Sequence, residues 1–523
     1  GRAPLTSHVA SPSSIPPSTS ATAATVGLLL MESAVYHEWK AADERRRNAS
    51  TAACVATLLL SVSCGVLLTQ ALSRSAPGDE RRADRDRYEP GRHAASTAVA
   101  THSGVVEEED GGPAPAQLGA FEVVWLPIGQ VRGTREVLLG GSSSHFSPRF
   151  GRFFRGIPYG HARRFEPPRQ PEPRAVIDAT RFRRACLRPI GPWYEDMAED
   201  CLHLNVFAPA TAADDDPAER SPVAVWFHGG SYTTGAGDDA HREHVAALVG
   251  TLRVVVVTVN YRLGVLGFLG SDRLRASANA STGNFGILDQ QLALRWVRRH
   301  IAHFGGDPRR ISVFGWAAGA ASASVHLAMP SSKGLFNSAV MMSGGFIHKA
   351  ARSLADAEEQ YDRILQAVGC AGAEECQRPG PTCTCLREAD AKTLLVAEKN
   401  LASWAPTIDG AVLLQSPDQA LRSGQVHEGV PIIIGSTIED AMVDIGAGAT
   451  PETLREYFRT SLIPGAKRDD VDKAMALYLS SEALTDILSR PSHDGWSPAY
   501  WAARRASADR YMTCVARRSA RRW

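Results

Sequence analysis

The chain has 523 residues, 44% of them hydrophobic and 22% charged, a balance that fits one large α/β domain with appendages. Its formal net charge of +1 excludes an overall electrostatic case for binding nucleic acid or an acidic partner.

Gly1–Leu30 is mostly Ala, Ser, Thr and Pro, so residues 1–50 are expected to be disordered and Met31 is a candidate start. No charged residue occurs from Ala49 to Ser73. The core of that stretch, Thr51–Ala71, is long enough as a helix to cross a hydrocarbon layer of roughly 30 Å, and a single membrane-spanning anchor is expected there. A buried helix rarely stays uncharged on every face for so long, and a signal peptide's apolar region is shorter, about 7–15 residues. Arg45, Arg46 and Arg47 precede the span, while Arg74, Arg81, Arg82, Arg85 and Arg87 follow it, so charge alone leaves the orientation undecided. Residues 72–120 are polar and charged, as in "VEEEDGG", and predict a flexible stalk.

Residues 121–523 read as globular. "SPVAVWFHGG" and "RVVVVTVNYRLG" are short β-branched runs closed by turn residues, hence buried strands, and "PRRISVFG" and "VPIIIGST" add two more. Between them "ILDQQLALRWVRRHIAHFG" places Ile287, Leu288, Leu292, Leu294, Trp296, Val297, Ile301 and Phe304 on one helical face with glycine at the exit. Strands alternating with helices predict a mostly parallel sheet covered on both faces. After the "RISVFG" strand comes "FGWAAGA", a glycine-flanked turn leading into a helix of small residues. That is the setting of the G-x-S-x-G nucleophile elbow, with Ala317 where the serine would stand.

Eight motifs in order carry a resemblance. They are "FRGIPYGHARRFEPP" (Phe154–Pro168), "EDCLHLNVFAP" (Glu199–Pro209), "VWFHGGSY" (Val225–Tyr232), "NYRLGVLGFL" (Asn260–Leu269), "GNFGILDQQLALRWV" (Gly283–Val297), "FGGDPRRISVFG" (Phe304–Gly315), "MMSGG" (Met341–Gly345) and "APTIDG" (Ala405–Gly410). From about Val131 to Trp523 the chain resembles the type-B carboxylesterase/cholinesterase family. The resemblance implies an α/β-hydrolase fold, cut short at its C-terminus, and so poor expression of the chain alone.

The resemblance also assigns site positions. Acyl transfer needs a nucleophile, a histidine, a carboxylate and amide donors for the oxyanion. The serine position is Ala317, preceded by Trp316 where the family usually has glutamate. Ser322 and Ser324 lie too far along the helix to replace it. The acid matches Glu439, followed by Asp440 instead of glycine, and the histidine has no counterpart, His493 falling too early. The oxyanion donors would be the N–H groups of Gly230, Ser231 and Ala318, which do not depend on side chains. Arg164 with Glu199, and Arg262 with Asp307, match the family's ion pairs. Cys186 and Cys201 match its first disulfide, and one pair among Cys370, Cys376, Cys383 and Cys385 its second. A zinc site is the rival for those four, but no histidine lies among them, and neither metal nor cofactor is expected. Cys514 matches half of a third disulfide, while Cys54 and Cys64 fall in the span.

Disulfides need an oxidising compartment, which orients the anchor: N-terminus in the cytoplasm, the large domain outside the plasma membrane or in the secretory lumen. Asn279-Ala280-Ser281 is then a glycan acceptor, unlike Asn48 on the inner side. Without a serine at 317 the sequence predicts a non-catalytic protein resembling the family's adhesion branch (neurotactin, gliotactin and the neuroligins), with an extracellular protein ligand. The alternative is a carboxylic ester hydrolase whose serine is absent from this sequence. A third reading is a small-molecule sink that binds without turnover.

Overall fold

The computed structural model describes residues 121–523 apart from 140–148, 190–195, 211–219, 241, 276–279, 349, 381–382, 400, 402, 438–439, 442 and 481–494. The expected N-terminal segment, anchor and stalk lie outside the described residues, as do Asn279, Glu439 and His493. Among the described residues no helix is long and apolar enough to cross a membrane.

The described residues form twelve strands in chain order: β1 (Phe121–Leu126), β2 (Gly129–Leu139), β3 (Arg149–Pro158), β4 (Val176–Asp178), β5 (Ala185–Cys186), β6 (Met197–Ala198), β7 (His203–Pro209), β8 (Ser221–Phe227), β9 (Val255–Val259), β10 (Gly306–Trp316), β11 (Ser338–Met342) and β12 (Ile432–Gly435). Ten join one sheet in the order β1-β2-β3-β7-β9-β8-β10-β11-β12, with β4 beside β2, while β5 and β6 pair separately. The sheet is mixed. From β9 through β8, β10 and β11 to β12 it is parallel. From β1 through β2, β3 and β7 to β9 it is antiparallel. The expected parallel arrangement therefore holds for the half where helices intervene between strands. The other half opens with a hairpin whose two-residue turn can only reverse the chain.

Burial on both faces follows from the period of two. Val223, Val225 and Phe227 of β8, with Val255, Val257 and Val259 of β9, pack into the main core. Between them Ala224 and Val256 point the other way, into a smaller core. Helix α1 (Arg242–Leu252) covers that second face through Val245, Ala246 and Val249. After α2 (Gly264–Phe268), the helices α3 (Phe285–His300) and α4 (Ala318–Ala328) cover the first face. Trp296, Val297 and Ala293 of α3 meet Ala320, Ala323 and Val325 of α4 in the main core. Farther on come α5 (Pro417–Arg422), α6 (Pro498–Ala508) and α7 (Cys514–Arg522). A separate cluster, including Leu454, Phe458, Val471, Trp501 and Ala503, builds its own small core.

Candidate active site

Parallel strand β10 ends in the elbow. Ala317 holds φ 53° and ψ −114°, a conformation L-residues rarely adopt, so the turn between β10 and α4 is strained. Its flanking glycines make the approach possible: a Cβ on Gly319 would lie 2.0 Å from Phe227 O, and one on Gly315 2.3 Å from Gly319 C. The Ala317 N–H donates to Met342 O at 2.9 Å, which ties the elbow to the end of β11. A Cβ built on Gly229 would stand 3.5 Å from the Ala317 methyl, so that methyl faces the loop after β8.

That loop is the expected oxyanion segment. Gly230, Ser231 and Tyr232 all have positive φ, and Gly230 O accepts from the N–H groups of Thr233 and Thr234 at 2.9 Å each. Below it His228 stacks on Tyr261 with ring centres 4.2 Å apart, and Tyr261 donates its hydroxyl proton to His228 O at 2.8 Å. His228 Nδ1–H donates to Gly229 O at 2.9 Å. Burial pushes the His228 pKa down to about 4, so the ring is neutral at physiological pH and acts as a fixed wedge. Ala318 is the first residue of α4, so its N–H has no partner within the helix. The loop and the helix start therefore both lie at the elbow, and Ser231 holds a left-handed backbone there.

A cavity of about 960 Å³ opens here, with Gly230, Ser231, Trp316 and Ala317 in its wall. Trp316 is 56% exposed in the position the family usually gives to glutamate. Beside Ala317 stand Ser343, Phe346 and His348, from the turn that follows β11. Thr437 and Asp440 flank the undescribed Glu439, and Arg504, Arg510 and Arg518 come in from the C-terminal helices. Of these eight, the sequence singled out only Asp440, as the residue in place of the family's glycine after Glu439. "MMSGG" was a signal that could have pointed to Ser343; nothing in the sequence pointed to the arginines. Ser322 and Ser324 are buried in α4 and satisfied elsewhere: Ser322 accepts from Gln290 at 3.0 Å and Ser324 donates to Ala321 O at 2.7 Å.

Of the two expected ion pairs that support the site, one forms and the other does not. Arg164 does pair with Glu199, Nε donating at 2.7 Å and Nη2 reaching the other carboxylate oxygen, while Nη1 reaches the carbonyls of Arg387 and Ala389. Arg262 does not pair with Asp307. It donates through Nε and a terminal nitrogen to both oxygens of Asp289, at 2.8 and 2.7 Å. Asp307 instead accepts from Arg310 at 3.0 Å and from the Arg309 N–H at 2.9 Å. Arg262 follows the C-terminal end of β9, whereas Asp307 sits at the N-terminal start of β10. In a parallel array these are opposite ends of the sheet. Asp289 was missed because it lies on the buried side of α3, where periodicity selects only apolar residues.

Cys186 bonds Cys201. The four later cysteines form two bonds rather than one, Cys370–Cys385 around Cys376–Cys383. Cys514 is free and exposed. Among the described residues no group of His, Cys, Asp and Glu could hold a metal ion.

With this geometry in hand, the comparisons with known proteins are direct. The family model "Carboxylesterase family" matches residues 120–523. The para-nitrobenzyl esterase of Bacillus subtilis (strain 168) is 34% identical over 400 residues, covering 72% of this chain and 74% of that protein. The pyrethroid hydrolase Ces2a of Mus musculus is 35% identical over 305 residues, covering 55% of this chain and 51% of its own length. Among solved structures, the carboxylesterase EST55 of Geobacillus stearothermophilus superposes with a TM-score of 0.58 at 30% identity over 76% of each chain. EstA of Aspergillus niger gives 0.61 at 25% identity, over 77% of this chain and 75% of that one. These relatives correct the expectation of a non-enzyme: they are named as an esterase, a hydrolase and a carboxylesterase, and nothing in the structure shows a loss of activity. Matched along nearly the whole described region and built on the same sheet, the chain belongs to the carboxylesterase family.

Proposed function

We propose that this chain is a carboxylic ester hydrolase by frame and binding site, taking the ester carbonyl into the cavity at the end of β10. The observation that carries the reading is the strained backbone at Ala317, held at φ 53° between an oxyanion-type loop and a helix start. A residue is kept in such a conformation when the surroundings over-determine it, and here it presents position 317 to the acyl carbon. The Ser231 and Ala318 amides would face the carbonyl oxygen as charge develops on it. Position 317 supplies a methyl in this sequence, so the hydrolase reading places the attacking oxygen on a serine at that codon.

The test is to read codon 317 in genomic DNA and to assay the chain beside Ala317→Ser with p-nitrophenyl esters. Organophosphate-sensitive turnover with serine at 317 is the expected result. An Ala317→Ser protein that melts like its parent, yet neither hydrolyses esters nor takes up the organophosphate, would refute the reading, provided that esters also leave the parent's melt unmoved.

The adhesion reading rests on resemblance alone, and the named relatives are hydrolases. A single-span anchor with the domain outside the cytoplasm stays our proposal for the compartment, supported by the three disulfides. Protease protection of intact cells or vesicles tests it.

A further inference from the structure

The cavity above Ala317 has an electrostatic character that neither the elbow nor the oxyanion loop explains. Among its described wall residues are four arginines, Arg422, Arg504, Arg510 and Arg518, against two carboxylates, Asp418 and Asp440. Asp418 is held by Arg422 at 2.8 Å, one turn along α5, so those two charges offset each other. Arg504 is fixed in the wall, its Nε–H donating to Ala441 O at 3.1 Å and its guanidinium lying 5.3 Å from the Trp501 ring centre. Arg510 and Arg518 are exposed, and neither forms an ion pair among the described residues. The surrounding sequence reinforces the sign: Pro498–Trp523 carries seven arginines and a single acid, Asp509. Asp509 accepts from Tyr478 at 2.9 Å. A concave site with low-dielectric walls and an excess of one sign of charge, here three arginines against Asp440, concentrates ligands of the opposite sign. Guanidinium groups also match the planar, two-oxygen geometry of a carboxylate.

We infer that the cavity selects carboxylic esters bearing a second, free carboxylate, the half-esters of dicarboxylic acids. Arg510 and Arg518 hold that carboxylate while the ester carbonyl lies at Ala317. This rests on the ester-binding reading above and adds the substrate class to it. Half-buried Ile347 in the same wall, backed by buried Phe346, supplies apolar surface for the methylene chain between the two ends.

The test uses the full chain and two probe series, the monoethyl and the diethyl esters of succinic, adipic and suberic acid, with affinity read by calorimetry. The monoester and diester of one acid differ in charge but little in shape. At least one monoester is expected to bind about tenfold more tightly than its diester at low salt, since a charge-assisted hydrogen bond contributes about that much. High salt should shrink the advantage, because the two arginines are exposed to screening. Arg510→Gln together with Arg518→Gln should bring the ratio of monoester to diester affinity down to about one. Arg459→Gln, at an exposed arginine paired with Glu456 and outside the cavity, should leave the monoester advantage intact. Equal binding of monoesters and diesters, or an advantage that survives the double variant, overturns the inference and leaves the ester site standing. Binding of neither series overturns the ester-binding reading itself, and this inference with it.

Discussion

Glu398 shows what burial does to a single carboxyl. It is 4% exposed, and its Oε2 accepts from the Val265 N–H at 2.6 Å, holding the start of α2 beneath Tyr232. Burial raises its pKa from 4.5 to about 7, and the hydrogen bond from Val265 opposes that rise. A carboxyl whose folded pKa is raised contributes stability that is present below pH 4.5 and is lost as pH rises through about 7. Glu398→Gln keeps an acceptor for Val265 and removes the charge. It is therefore expected to match its parent near pH 4.5 and to melt higher at pH 8, by up to about 3 kcal/mol. A second residue-scale outcome separates the two aspartates. Asp289→Ala strands the buried Arg262 guanidinium and should cost about 3–5 kcal/mol in chemical denaturation. Asp307→Ala, whose arginine partners are partly or largely exposed, should cost about 1 kcal/mol or less. Gly319→Ala belongs to the same scale. Its methyl would press on Phe227 O, so the elbow must open, with a loss of more than about 2 kcal/mol.

At the scale of elements, the nested disulfides are the clearest case. Cys370–Cys385 closes a span of 15 residues and Cys376–Cys383 one of 7, both just before Arg387 and Ala389, whose carbonyls accept from Arg164. Chain entropy assigns about 3 kcal/mol to the wider loop and about 2 kcal/mol to the narrower. Serine replacements of the outer pair should therefore lower the melting temperature more than those of the inner pair. Strand identity was legible beforehand because β8, β9 and β10 are β-branched runs buried on both faces, which the residue types themselves announce. The antiparallel arm was not, since β1 to β3 mix charged, glycine and apolar residues without a regular period, and their pairing direction depends on the turns between them.

For the whole molecule, the hydrophobic interior of the described residues divides into the sheet's main core, a second core on its other face, and a separate cluster built from Val443 to Ala506. The smaller cluster buries less apolar surface, so its helices should exchange amide hydrogens at lower free energy than β8–β10. Hydrogen exchange with mass spectrometry reads this directly: uniform protection of Leu454–Tyr478 and β8–β10 would show one cooperative unit instead. The amino-acid sequence by itself determined the order of the framework motifs, the buried strands, the methyl at position 317 and the glycines around it. All of these are properties of residue identity and near neighbours. Only the tertiary structure decided that Arg262 finds Asp289, that four cysteines close two nested bonds, and that arginines beyond residue 500 stand over Ala317. Those meetings depend on which ends of parallel strands coincide and where helices return. Separation along the chain carries no information about separation across a sheet.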